Sequence, residues 1–81
     1  MDFKEVVIEN IGRIHTTEMG IERIEKNLEL NNVDVVEYCK EIIKNKKSDV
    51  EKKGKNYYVY FEDKILTINS SSFTIITAHK K

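Results

Sequence analysis

The chain has 81 residues, 40% of them apolar, one cysteine and a formal net charge of zero. So short a chain buries only about 60 to 65% of its unfolded surface, enough for one small core and not for several domains. No run of about 18 apolar residues excludes a membrane span, and the charged start MDFKEVVIEN lacks the apolar stretch of a leader peptide. A lone cysteine, Cys39, rules out an internal disulfide and predicts a cytoplasmic protein.

The first half reads as helices, over residues 2–45. Asp2 can cap FKEVVIENI, in which Phe3, Val6, Val7 and Ile11 keep the spacing of one buried stripe, and Gly12 is placed to stop the helix in a left-handed conformation. In HTTEMGIERIEKNLEL one of the two threonines caps a second helix, whose inward face is Ile21, Ile24 and Leu28, and Asn31 and Asn32 break it. Asp34 and Glu37 form a capping-box pattern for a third helix with the stripe Val35, Val36, Cys39, Ile42 and Ile43. Cys39 on that stripe reads as a buried, inert thiol.

The second half, residues 48–79, reads as strands. A short polar edge segment around Val50 ends at Gly54. NYYVYF is strongly β-prone, Glu62 and Asp63 turn the chain into KILTIN, NSSS turns it again, and FTIITAH is the last strand. Helices followed by a meander predict one α+β domain over 1–81: about three helices on one face of an antiparallel sheet of three to four strands. Strict alternation in the last strand puts Phe73, Ile75, Thr77 and His79 on one face and Thr74, Ile76 and Ala78 on the other. Both sets are partly apolar, so periodicity leaves open which face meets the helices.

The charge is polarised along the chain. Residues 1–38 carry nine acidic and four basic groups, residues 39–81 five acidic and ten basic. A basic second half can present a cationic edge to RNA, or its lysines can guard an exposed edge strand.

The segments IHTTEMGIERIEKNL, DVVEYCKEII, KGKNYYV and TINSSSFTIITAHK together resemble a family of short bacterial proteins, largely from Firmicutes, catalogued as a domain of unknown function. The layer order and the final IITA are also similar to the barnase, EndoU, colicin and RelE class of small metal-independent ribonucleases. That second resemblance implies a histidine near the helical part, matched by His15, while the arginine-rich catalytic set of the class is replaced here by lysines.

Metal-independent RNA cleavage needs a base, an acid and a cation on the phosphorane, and histidine suits both proton roles. The chain has two histidines. If the tip of the last strand lies beside the RIHTT turn, His15 and His79 share a cleft with Thr77 orienting the phosphate. Arg13, Lys55 and Lys80 would then bind the substrate charge, and among Tyr57, Tyr58 and Tyr60, which can stack bases, Tyr57 is the one placed in the site. Each has a plainer reading: a histidine packed at a helix junction, a solvated strand end, tyrosines half-buried in a sheet. No metal-ligand spacing or glycine-rich phosphate loop is present, so no metal or cofactor is expected. The alternative function is a non-catalytic module that binds another protein through its sheet face or its acidic helices.

Overall fold

The computed structural model describes residues 2–81. Three helices precede a four-stranded antiparallel meander, the α+β arrangement that the sequence predicts. Helix α1 spans Phe3–Glu9; the Asp2 carboxylate accepts from the N–H groups of Lys4 and Glu5. It ends earlier than Gly12. The Asn10 side-chain amide donates to the Val6 carbonyl at 2.9 Å and closes the last turn, so Gly12 sits in a short 3-10 turn, Ile11–Arg13, without a left-handed backbone.

The two threonines before helix α2, Glu18–Leu28, divide the work. Thr17 accepts from the Gly20 N–H at 3.0 Å and is the cap, whereas the Thr16 hydroxyl donates across to the Ile75 carbonyl at 2.8 Å. Gly20, Ile24 and Leu28 form the buried stripe, and Ile21, expected on it, stays 36% exposed. Glycine takes the inward place in the first turn because a Cβ there would collide with the Thr16 hydroxyl. Gly20→Ala should therefore destabilise by about 1 to 3 kcal/mol, as overpacking does, although alanine is ordinarily the better helix former. Urea unfolding of the variant reads this directly, and a gain in stability would contradict the packing described.

Glu29 adopts a left-handed conformation and the Leu30 N–H donates back to the Glu25 carbonyl, closing α2 before the asparagines. Helix α3, Val35–Lys44, is capped by Asp34, which accepts from the Glu37 N–H at 3.2 Å. The Glu37 carboxylate turns outward to Lys40. Val35, Cys39, Ile42 and Ile43 are buried, and burial pushes the Cys39 thiol up to about 12, so it stays protonated and unreactive.

Strands β1 (Asp49–Lys53), β2 (Asn56–Phe61), β3 (Lys64–Asn69) and β4 (Ile75–Lys80) lie in sequence order. Gly54, at φ +61°, makes the first turn and Glu62, at φ 53°, the second. Val50, Val59, Leu66 and Ala78 form one core-facing row; Tyr57, Ile68 and Ile75 form the next. Strict alternation fails in β4. Leu66 faces Ala78 and Ile68 faces Ile75, so two residues of β3 span three of β4, and Ile76 is the extra residue of a β-bulge. The bulge lets Ile75 and Ala78 both face the helices, a pairing that alternation forbids. Phe73 lies before the strand at φ 58° and packs its ring on Tyr57.

All three helices cover this one face, α1 against β1 and α3, α2 against β4 and α3. The free edge of β4 is closed by α2 and its approach: Ile75 N–H donates to the His15 carbonyl at 2.7 Å, and the Asn27 side chain donates to the Ala78 carbonyl at 3.0 Å. The opposite edge, β1, is DVEKK, whose charges discourage a further strand.

Candidate functional site

With the helices on one side, the other face of the sheet is uncovered, and its composition follows from the register. One row across the strands is Asp49, Tyr60, Ile65 and His79; the next is Glu51, Tyr58, Thr67 and Thr77. A third begins with Lys53, Asn56 and Asn69 and continues to Thr74, which itself pairs with His15 in a parallel bridge. Tyr58, Tyr60, Ile65 and Thr77 are half-buried, and Thr67, walled by its neighbours, is only 7% exposed. The middle of the face is thus two tyrosines, an isoleucine and two threonines. Its β1 side carries Asp49 and Glu51, and its β4 side carries His79 with Lys81, whose ammonium lies 5.7 Å from the Tyr60 ring centre.

The residues expected to form a ribonuclease cleft fall on this frame in separate places. His15 pairs with Thr74, at the start of β4, and His79 lies near its end. The two rows, at Asn69 and Ile65 of β3, are four residue steps apart, about 14 Å at the rise of an antiparallel strand. Because the segment carrying His15 runs parallel to β4, the strand leads away from it, and the tip TAHKK lies at the far end from RIHTT. The two imidazoles do not share a cleft. Thr77 and His79 do share the open face.

The proposed substrate-binding set is likewise dispersed. Tyr57 is 7% exposed, stacked on Phe73 and tilted against Phe3 in the core, so it offers no surface to a base; Tyr58 and Tyr60 are the accessible tyrosines of that strand. The Arg13 guanidinium lies over the Phe73 ring at 4.7 Å and donates to the Ser71 carbonyl, tying the 3-10 turn to the β3–β4 loop. Lys80 points to the helix side and pairs with Glu29, and their hydrogen bond holds the lysine above and the carboxyl below their ordinary values. Lys55 is exposed in the β1–β2 turn, at the opposite end of the sheet.

His15 does join a different network that sequence reasoning passed over. In the neutral imidazole, Nδ1–H donates to the Arg13 carbonyl at 2.7 Å and Nε2, 3.0 Å from the Thr74 hydroxyl, accepts from it. Ser72 Oγ is 2.7 Å from Thr74 Oγ1. Hydroxyl, imidazole and orienting carbonyl in line have the form of a nucleophile and its base. The surroundings do not complete it. The Ser71 and Ser72 N–H groups both donate to Asn69 Oδ1, Phe73 N–H to the Asn69 carbonyl and Ser70 N–H to the Lys55 carbonyl, so these loop amides are already engaged and none can hold an oxyanion. The network instead pins the loop to the edge of the sheet. Ser72 was legible only as part of the NSSS turn, and Thr74 only as a strand residue of FTIITAH.

Among the described residues no group of three or more histidine, cysteine or acidic side chains is placed to hold a metal ion, and no helix is long and apolar enough to cross a membrane. No curated protein matches the chain, and no solved structure does. The model of the family described as a protein of unknown function (DUF3781) matches residues 8–79, and the chain belongs to that family.

Proposed function

We propose that this domain is a non-catalytic protein-interaction module whose recognition surface is the open face of its sheet. The observation that supports the reading is the composition of that face. Tyr58, Tyr60, Ile65 and Thr77, around the buried Thr67, form a half-exposed centre rich in tyrosine, bracketed by acids on β1 and by His79 and Lys81 on β4. Tyrosine gives a large contact area at little conformational cost, and polar groups around an apolar centre are the usual anatomy of a protein interface.

RNA is the competing partner, and electrostatics weigh against it. A single-strand groove needs an excess of cations along the backbone path. Here Asp49 and Glu51 stand beside the two tyrosines, Lys53 is paired with Glu51, and Lys80 is turned away to Glu29.

A photo-crosslinking amino acid at position 60 tests the reading in cells that produce the protein, with position 22 on the outer side of α2 as control. Protein adducts are expected at 60, absent at 22, and lost when Thr77→Arg is added to the same chain. Adducts made of RNA, or adducts equally frequent at 22, would overturn it. In parallel, incubation with total RNA in EDTA should show no cleavage above a blank, with His15→Ala and His79→Ala indistinguishable from the parent. A rate that falls about 10²-fold in either variant would restore the ribonuclease reading.

A further inference from the structure

The open face is complementary to itself, and from this we propose that it packs against a second copy of this chain, face to face, as a two-fold β-sandwich. The inference rests on the reading of that face as a protein-recognition surface and names its partner. A two-fold axis parallel to the strands, placed between β2 and β3, lays β1 of one copy over β4 of the other and β2 over β3. The row Asp49, Tyr60, Ile65, His79 then meets its own reverse. Asp49 comes opposite His79 and Lys81 of the second copy, and Tyr60 opposite its Ile65. In the next row Tyr58 comes opposite Thr67. Large side chains on β2 thereby face smaller ones on β3, and Asp49 on β1 faces Lys81 beside His79 on β4, twice over by symmetry, while Glu51 comes opposite Thr77. Packed sheets keep their strands within about 30° of one another, so the native twist preserves this correspondence near the axis.

Size sets the strength. Four strands about 4.8 Å apart and about six residues rising about 3.4 Å each give a face of roughly 19 by 20 Å. Two such faces cover about 800 Å² in all, below the roughly 1,200 to 2,000 Å² of stable complexes, so the pair is a weak one that forms at high concentration. The uncovered centre is also too small to force the domain into an obligate dimer.

Sedimentation equilibrium from about 10 µM to 1 mM tests the inference, with circular dichroism confirming that each variant is folded. The parent should show a monomer–dimer equilibrium with a dissociation constant on the order of 10⁻⁴ M. Asp49→Lys alone and Lys81→Glu alone should each weaken it at least about tenfold, and the two together in one chain should restore it to within about threefold, because each reversed charge again meets its opposite. Tyr60→Asp should abolish it. A parent that stays monomeric at 1 mM overturns the inference. So does a dimer that survives Tyr60→Asp, or one that the double charge reversal fails to restore. These outcomes are separable from failure of the functional reading. Protein adducts at position 60 to chains other than this one, with a strictly monomeric parent, would leave the recognition surface standing and remove only the second copy as its partner.

Discussion

Ile24→Ala should cost about 2 to 5 kcal/mol and bring the domain to the margin of folding. Ile24 is fully buried where α2 meets the sheet, and the methyl groups removed would leave a void lined by Leu28 and the β4 side of the core. A domain of this size has about 4 to 12 kcal/mol of stability in total, so the loss is a large share of it. Ile42→Ala, on α3 and also buried, should fall in the same range. Equilibrium unfolding in urea measures both. A loss under about 0.5 kcal/mol in either would mean that the helical face has been assigned to the wrong side.

The largest contrast is expected within one strand. Tyr57→Ala should cost about 3 to 5 kcal/mol, the range for truncating a buried aromatic ring, because it empties the space between Phe3 and Phe73 under the sheet. Tyr60→Ala, three positions along and on the other face, should cost less than about 1 kcal/mol, since the ring is half-exposed and its loss opens no cavity. The pair distinguishes the two faces by stability alone. Equal costs would place both rings in the core, and with them remove the uncovered centre from which recognition is argued.

The order of elements was legible because local chemistry sets it. Caps at Asp2, Thr17 and Asp34 and the stripe of α3 lie within one or two turns of the residues they act on, and the turns at Gly54 and Glu62–Asp63 are short-range as well. What local pattern could not give was the partition of the sheet. One extra residue, Ile76, shifts the parity of β4, so Ile75 and Ala78 share a face although they stand three apart. Nothing in FTIITAH marks where such a bulge falls. The choice among Tyr57, Tyr58 and Tyr60 depended on the same unknown, and Tyr57 proved to be the core residue.

The two histidines failed to meet for a topological reason. His15 pairs with the beginning of β4, and the strand direction then carries His79 to the opposite end. Sequence shows that each histidine lies in a threonine-bearing segment, HTT or TAH, but not which end of a strand a preceding segment will touch. The polarity of charge along the chain was read correctly as a count. In space much of it is cancelled locally, by Glu37–Lys40, Glu41–Lys44, Glu51–Lys53 and Glu29–Lys80. Exposed pairs of this kind contribute little to stability, and their main effect here is on the field that a partner meets.

Nitration of the tyrosines in dilute, folded protein, mapped by mass spectrometry, tests the central claim most directly: that the helices cover the Tyr57 face of the sheet and leave the Tyr58 and Tyr60 face open for recognition. Tyr58 and Tyr60 should be modified readily, and Tyr57 only after the protein is unfolded in urea. Modification of Tyr57 in the folded protein, with Tyr58 and Tyr60 spared, would contradict the account.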